Sequence, residues 1–156
     1  MALEIITEAR LEHLPAILQI EQECFGVDAF NRRQMRYLIQ SQNPFLIAMA
    51  EERIAGYMIL LKRKKVTVLR LYAIAIHPEF RGKGLATSLV EKAIQIASKS
   101  GFSKISLEVR TDNQAAVSLY RQKGFEAAKR LSQYYKDGKD ALRMVLNVKD
   151  HSNLNV

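Results

Sequence analysis

A strand, a glycine-rich turn and the start of a helix follow one another in IAIHPEFRGKGLA, residues 74–86. Apolar residues continue at helical spacing from residue 85 to residue 97. A turn that opens a helix leaves backbone N–H groups unpaired, and the helix dipole favours negative charge at the same place. Gly82 and Gly84 remove side chains that would block a close approach to these groups. The stretch therefore indicates a phosphate site, and an ordinary glycine turn without a ligand is the alternative interpretation.

The spacing of the glycines excludes two common phosphate motifs. The G-x-G-x-x-G pattern of dinucleotide-binding folds and the Gly-Lys-Ser/Thr ending of the P-loop are both missing. Arg81 and Lys83 add positive charge beside the turn. The turn is therefore a candidate site for an anionic ligand outside these two classes.

The composition is that of an ordinary folded domain. The chain has 156 residues, of which 48% are hydrophobic and 26% charged. Its net charge of +8 fits nucleic acid, an anionic membrane surface or a phosphate-bearing cofactor equally well. No apolar run approaches the ~18 residues that a membrane-spanning helix needs. The single cysteine, Cys24, excludes an intramolecular disulfide, and no secretory signal is visible, so we expect a cytoplasmic protein without a membrane partner.

The remaining patterns predict a strand, two helices, three strands, a helix, a strand, a helix and a final hairpin. The hairpin consists of two runs, Phe125 to Tyr135 and Ala141 to Val148, on either side of Asp137-Gly138. This order predicts an α/β (mixed α+β) fold with a central, mostly antiparallel mixed sheet of about seven strands and helices on both faces. We expect a single domain over residues 1–149 and a polar tail at residues 150–156.

Polar residues that can carry chemistry lie on the fifth strand and on the helix after it. The run ISLEVR, residues 105–110, alternates between apolar and polar, which places Glu108 on the polar face of the strand. The signals for helix ends are the capping box of Asn31 and Gln34, the N-cap Asn113 and the C-terminal pair Gly124-Phe125.

Residues 74–86 resemble the acetyl-coenzyme A motif of the GNAT superfamily of N-acetyltransferases, Arg/Gln-x-x-Gly-x-Gly/Ala, at the end of the fourth strand. The second half of that family's site resembles Leu107 to Arg110 together with Asn113, Ala116, Leu119-Tyr120 and Gly124-Phe125. The pair Tyr134-Tyr135 before a hairpin is similar to the branch that contains bacterial ribosomal-protein alanine N-acetyltransferases. The resemblance covers the chain from the first strand to about Val148.

The resemblance implies an acetyl-coenzyme A site. The pyrophosphate would lie on the amides from Arg81 to Thr87, the pantetheine would run beside Ile74 and Ile76, and Asn113 would hold the pantetheine arm from the other side. The cofactor-binding residues implied in this way are Ile74, Ala75, Ile76, Arg81, Gly82, Lys83, Gly84, Leu85, Ala86, Thr87 and Asn113.

The resemblance also implies the catalytic residues. Glu108 would be the general base, acting directly or through a water, and Tyr120 would be the acid that protonates the departing thiolate. From the residues alone, Glu108 also fits a surface glutamate paired with a lysine, and Tyr120 also fits a core aromatic residue. Cys24 is interpreted as a small residue of an apolar helix stripe and not as an acyl carrier.

The acceptor is expected to be a protein or peptide amine, and we favour an N-terminal one. An α-amine has a pKa of ~8 and a lysine ~10.4, so a glutamate base is better matched to the former. Phe25, Tyr134 and Tyr135 are the candidate acceptor-binding residues. Many peptide acetylators of the family carry a proline and a tryptophan between the first two helices, where this chain has Cys24 to Phe30. This departure leaves a small amine, such as a polyamine or an aminoglycoside, as the alternative acceptor.

A binding module is the alternative from another class. It would sense acyl-coenzyme A without turnover, or bind nucleic acid through the basic tip Lys62 to Lys65. The absence of interleaved aromatic and basic residues on one strand argues against nucleic acid, and a basic tip of this kind is more often a solvated turn.

The scattered residues His13, His77 and His151 have no metal-ligand spacing, so no metal is expected. An exposed sheet edge is compatible with a homodimer. Besides the tip Lys62 to Lys65, a second candidate nucleic-acid surface consists of the basic residues Arg121, Lys123, Lys129 and Arg130.

Overall fold

The computed structural model describes residues 5–63 and 65–149. Lys64 of the basic tip, the first residues of the predicted first strand and the predicted polar tail lie outside the described residues. The helices are α1 Leu14–Phe25, α2 Arg32–Gln40, α3 Leu85–Lys99 and α4 Gln114–Gln122. The strands are β1 Ile5–Glu8, β2 Phe45–Ala50, β3 Arg53–Leu61, β4 Val68–Ile76, β5 Lys104–Arg110, β6 Glu126–Leu131 and β7 Ala141–Asn147.

The strands form one seven-stranded sheet in the order β1-β2-β3-β4-β5-β7-β6. Four of its pairs, β1 with β2, β2 with β3, β5 with β7 and β6 with β7, are antiparallel, and β4 pairs with β5 in parallel. This confirms the predicted mixed, mostly antiparallel sheet. The parallel pair is the one that the α3 crossover connects, because parallel neighbours cannot be joined by a hairpin.

The described chain divides into two compact units. The first unit contains the chain up to Leu61 together with Ala73–Leu89, and the second contains Lys62–Tyr72 together with the chain from Val90 onward. The strand β4 and the helix α3 therefore contribute residues to both. A single domain over residues 1–149 stays a prediction.

The core of the first unit is built by α1, α2 and the strands β2 to β4. At α2, the predicted capping box is confirmed: Asn31 Oδ1 accepts a hydrogen bond from Gln34 N at 2.8 Å, and Asn31 N donates one to Gln34 Oε1 at 2.9 Å. A Cβ atom on Gly56 would lie 2.6 Å from Ile76 Cδ1 and 2.7 Å from the Ala75 carbonyl oxygen, so only glycine lets β3 approach the end of β4 this closely. The buried residues of this core are Leu14, Ile17, Ile20, Met35, Phe45, Ile47, Tyr57, Ile59 and Ala75.

Burial in the second unit confirms the alternation predicted for β5. Ile105, Leu107 and Val109 are buried, while the residues between them are partly exposed. The helix α4 ends in a Schellman motif, in which Phe125 N donates to the Tyr120 carbonyl at 2.9 Å and Gly124 N to the Arg121 carbonyl at 3.0 Å. The side chains of β5 that point away from the core are thus the ones available for chemistry.

The final hairpin differs from the prediction in one respect. Its first strand ends at Leu131 and does not extend to Tyr135. Residues 132–140 form a loop, in which Gly138 N donates to the Tyr135 carbonyl at 2.9 Å and Tyr135 N to the Lys139 carbonyl at 3.1 Å. The local turn at Asp137-Gly138 is present, but it closes the loop and not the strand pair, so Tyr134 and Tyr135 are loop residues.

Candidate functional site

The glycine turn before α3 presents unpaired donors to open space. Gly82 and Gly84 have φ values of +77° and +83°, and a Cβ atom added to either would meet nothing within 4 Å. Within residues 5–63 and 65–149, the backbone N–H groups of residues 82–87 have no hydrogen-bond acceptor, and the helical ladder begins with Ser88 N donating to the Gly84 carbonyl at 3.0 Å. Donors of this kind at a helix N-terminus fit a phosphate or pyrophosphate.

The Arg81 side chain does not extend into this turn. Its Nε donates to the carbonyl of Ile76 at 3.1 Å, and its Nη2 lies 3.3 Å from Cys24 Sγ. Cys24 Sγ in turn lies 3.4 Å from the same carbonyl. Arg81 therefore places its charge at the end of β4. The sequence predicts this charge beside the phosphate donors of the turn, but only the backbone of Arg81 lies there. The Lys83 ammonium lies 5.3 Å from the Phe80 ring and 3.9 Å from Glu51 Oε1.

Cys24 remains a thiol in this arrangement. Burial raises the pKa of the Cys24 thiol above its ordinary value, although the hydrogen bond from Arg81 opposes the effect. A thiolate nucleophile needs the opposite shift. The side chain packs against the core of the first unit, as the sequence predicts.

Glu108 lies between two arginines that come from the neighbouring strands. Its Oε1 is 2.8 Å from Nη2 of Arg70 on β4 and 3.7 Å from Nη2 of Arg143 on β7, and Arg143 is its cross-strand partner in the β5–β7 register. The Glu108 side chain is only 9% exposed. It is therefore not a solvent-exposed glutamate paired with a lysine, which was the alternative interpretation of the sequence.

Tyr120 is almost buried, at 5% exposure, and its ring packs edge-on against Phe125 with the centroids 5.6 Å apart. Burial raises the pKa of Tyr120 to about 12. The phenol is therefore fully protonated at neutral pH, as a proton donor must be, but it is also a weaker acid than a free tyrosine. Asn113 caps α4, because its Oδ1 accepts a hydrogen bond from Ala116 N at 3.2 Å.

Two of the three candidate acceptor-binding residues have large exposed faces, and Tyr135 is half-buried. Phe25 ends α1 and is 42% exposed, and Tyr134 is 43% exposed. The Tyr134 and Tyr135 rings meet edge to face with centroids 5.0 Å apart. The Tyr134 hydroxyl accepts a hydrogen bond from Arg70 Nη2 at 3.4 Å, and the guanidinium of Arg110 lies 4.6 Å from the Tyr135 ring centroid. Burial raises the pKa of Tyr135 as well.

The second unit therefore brings Glu108 and Tyr134 together through Arg70, a residue that the sequence analysis did not select. Arg70 and Arg143 each interrupt an apolar run in the sequence, at residues 68–76 and 141–148, and this interruption was the available signal. The first unit brings Ile76 and Arg81 together with Cys24, the neighbour of Phe25. Ile74 and Ala75 precede Ile76 on β4, and Leu85, Ala86 and Thr87 form the first turn of α3.

The part of the chain that the structure describes contains neither a cluster of metal ligands nor a membrane-spanning helix. Residues 5–63 and 65–149 contain no group of three or more His, Cys, Asp or Glu side chains that could hold a metal ion. None of the helices in the same ranges has the length and apolar content needed to cross a bilayer.

Comparison with known proteins agrees with the geometry of the turn. Residues 14–125 match the Acetyltransferase (GNAT) family. N-alpha-acetyltransferase 30 of Schizosaccharomyces pombe is 33% identical over 139 residues, which are 86% of this chain and 92% of that protein. Relatives from Arabidopsis thaliana, Xenopus laevis, Homo sapiens and Mus musculus are longer, and the chain spans between 32% and 42% of their lengths.

Solved structures share the fold over nearly the whole chain. The ribosomal-protein-S18-alanine N-acetyltransferase of Escherichia coli superposes with a TM-score of 0.84 at 27% identity, covering 94% of each chain. A chain of the NatC complex bound to Gag peptide and CoA has a TM-score of 0.81 at 23% identity, covering 92% of this chain and 98% of that one, and so has the same fold. The matched range includes both the glycine turn and Glu108, and the chain belongs to the GNAT family of N-acetyltransferases, which use acetyl-coenzyme A.

Proposed function

We propose that this protein transfers the acetyl group of acetyl-coenzyme A to the N-terminal α-amine of a protein or peptide. The observation that carries the proposal is the match along 86% of the chain to a protein named as an N-alpha-acetyltransferase. The Escherichia coli structure at 27% identity is also named for acetylation of a protein, at an alanine. A spermidine N-acetyltransferase chain also has a TM-score of 0.84, but at 19% identity it shares the fold and gives no argument about the acceptor.

The residues present fit acetyl-coenzyme A. The unpaired N–H groups of residues 82–87 would receive the pyrophosphate, because the open space at Gly82 and Gly84 lets phosphate oxygens reach the backbone. The pantetheine would lie along Ile74, Ala75 and Ile76. The amide nitrogen of Asn113 would donate to the pantetheine arm, since its side-chain oxygen is occupied by the N-cap bond. The bound thioester supplies an activated acetyl carbon.

The transfer requires a base for the attacking amine. In our proposal Glu108 accepts the amine proton, directly or through a water, as the C–N bond forms and the C–S bond breaks. Arg70 and Arg143 hold its carboxylate, and its low exposure keeps bulk water from competing for it. An α-amine is a better match for a glutamate base than a lysine is, because its deprotonation at pH 7 costs ~3 kcal/mol less.

The departing sulfur requires a proton or a hydrogen bond. Tyr120 donates its hydroxyl hydrogen to the thiolate in our proposal and is reprotonated from solvent afterwards. With its pKa at about 12, full transfer to a thiolate of pKa ~8.5 is uphill by ~5 kcal/mol. This cost is compatible with turnover on the seconds scale, and a hydrogen bond that strengthens as charge develops on sulfur lowers the barrier without full transfer.

The test is coenzyme A release from acetyl-coenzyme A over a panel of N-terminal peptides, N-terminally blocked lysine peptides and polyamines. Peptides beginning with alanine, serine and methionine sample different first side chains. We expect turnover with free N-terminal peptides and not with their blocked forms, and a loss of ~100-fold or more in kcat for Glu108→Gln. Turnover confined to polyamines would refute the N-terminal acceptor. Binding of acetyl-coenzyme A without turnover of any amine would indicate an acyl-coenzyme A sensor.

A further inference from the structure

We propose that Arg70 is a positioning residue, which holds the Glu108 carboxylate and the Tyr134 hydroxyl in one fixed geometry for the transfer. The inference rests on the proposed function, because it assigns Arg70 a role through the proposed base. It concerns the second unit alone, in which all the residues involved lie.

The contacts of Arg70 converge on one nitrogen. Nη2 lies 2.8 Å from Glu108 Oε1 and donates to the Tyr134 hydroxyl at 3.4 Å. The guanidinium also lies 5.2 Å from the ring centroid of Tyr72, two residues along β4. A strand residue thereby links the carboxylate of β5 to the loop between β6 and β7, and the Tyr72 ring limits the rotation of the planar group.

The position of Arg70 leaves one of its donors without an acceptor. Its Nε is buried and has no hydrogen-bond partner among the described residues. A buried donor without an acceptor costs about 1–3 kcal/mol. The side chain as a whole is 38% exposed. The contacts of Nη2 with Glu108 and Tyr134, and of the guanidinium with the Tyr72 ring, hold the side chain in this position.

What distinguishes an arginine from a lysine at this position is the planar guanidinium over the Tyr72 ring, since both polar contacts are made by one nitrogen. A guanidinium is planar and its donors diverge at fixed angles, whereas a lysine ammonium is a single point on a flexible stem. Arg143 provides an internal comparison, because it lies 3.7 Å from the same Oε1 and, among the described residues, makes no hydrogen bond to Tyr134. Loss of Arg143 thus removes charge near Glu108 but leaves the link between Glu108 and Tyr134 intact.

The test is a double-mutant cycle on steady-state kinetics with acetyl-coenzyme A and the best N-terminal peptide from the panel. We expect Arg70→Gln to lower kcat by about 10- to 100-fold, with the KM for acetyl-coenzyme A within twofold of the parent. In the Glu108→Gln background, the same substitution should cost less than about threefold, because the residue that it positions is already gone. Arg143→Gln should cost only about 2- to 5-fold, as an ion pair at longer range does.

Arg70→Lys separates geometry from charge. We expect it to recover less than half of the lost activity on a logarithmic scale, because an ammonium on a flexible stem lacks the planar contact with the Tyr72 ring that orients the guanidinium. Tyr134→Phe should raise the KM for the peptide more than it lowers kcat, since it releases the loop and leaves Glu108 paired. Thermal unfolding of each variant separates these effects from misfolding, and Tyr134→Phe and Arg70→Lys remain informative if Arg70→Gln does not fold.

The outcomes distinguish this inference from the proposed function. Equal losses from Arg70→Gln in the parent and in the Glu108→Gln backgrounds would show that Arg70 does not act through Glu108, and would refute the inference. Full activity of Arg70→Lys would show that the positive charge accounts for the whole contribution of Arg70, and would also refute the inference. Normal turnover by Glu108→Gln would remove the proposed base, whereas a loss in Glu108→Gln with none in Arg70→Gln would overturn this inference alone.

Discussion

The amide donors of the glycine turn can be tested with a pair of alanine substitutions that are matched in backbone strain. Gly84 and Gly101 have φ values of +83° and +79°, and a Cβ atom at either meets nothing within 4 Å. Gly101 follows α3, whereas Gly84 precedes it. Alanine in this left-handed region costs about 1–2 kcal/mol at each position. Both variants should therefore unfold at a temperature lower by about 2–8 °C.

The two variants should differ in coenzyme A binding. The space beside Gly84 is the one through which a phosphate would reach the N–H groups of residues 82–87. A methyl group there removes one hydrogen bond to a charged group, worth about 1.5–3 kcal/mol. We therefore expect the Kd of coenzyme A to rise by about 10- to 100-fold in Gly84→Ala and to change by less than about twofold in Gly101→Ala.

Isothermal titration with coenzyme A and with pantetheine, which lacks the pyrophosphate, measures this difference. The Gly84→Ala effect should disappear with pantetheine, because that ligand does not use the amides of the turn. Equal coenzyme A affinities in Gly84→Ala and Gly101→Ala, with both variants destabilised alike, would show that the turn is an ordinary helix entry. Equal losses for coenzyme A and pantetheine would place the effect of the methyl group elsewhere than at the phosphate donors.

Three further predictions concern single side chains. Tyr120→Phe removes the proposed acid, so we expect a loss of kcat of about 100-fold, with little change in thermal unfolding because the packing against Phe125 is kept. Since burial raises the pKa of Tyr120 to about 12, the parent's pH–rate profile should show no alkaline decline from this group between pH 8 and 10.5. A decline centred near pH 10 that is absent from Tyr120→Phe would contradict this pKa. Asn31→Ala removes the capping box of α2 and should cost about 1 kcal/mol in urea unfolding, while Asn31→Ser should cost less than half of that. The Glu21 carboxylate accepts hydrogen bonds from the Tyr57 hydroxyl and, at 2.9 Å, from Phe30 N, and burial raises its pKa. Because the folded protein then holds the Glu21 proton more tightly than the unfolded chain, the parent should lose stability relative to Glu21→Gln as the pH rises above about 4.5. A difference in unfolding free energy that is constant from pH 4 to pH 8 would contradict this assignment.

Most of the secondary structure was predictable because its signals are local. The capping box of Asn31 and Gln34, the C-terminal motif at Gly124-Phe125 and the alternation of residues 105–110 depend on neighbours within a few positions, and all are present. The hairpin loop was predicted less well. Asp137-Gly138 does form a turn, but the sequence gives no measure of where strand pairing resumes, since that depends on the register of β6 with β7.

The surroundings of two site residues could not be predicted from the sequence. Arg81 carries the charge that the motif suggests, but its guanidinium lies against the Ile76 carbonyl and Cys24 Sγ. Glu108 was correctly placed on the polar face of β5, yet its alternative interpretation as a surface residue is wrong, because Arg70 and Arg143 cover it from both sides. A cytoplasmic location and a homodimer stay predictions.

The sequence by itself determined the glycine turn, because a helix start with two glycines exposes its backbone donors whatever surrounds it. It also determined that Glu108 lies opposite the core, since strand alternation is a property of the backbone. Only the tertiary structure decided which side chains meet Glu108. Arg70 and Arg143 are far from it along the chain, and they reach it because β4 pairs with β5 in parallel while β7 pairs with β5 in the opposite direction. Such a register is the joint outcome of core packing and strand pairing across the whole sheet.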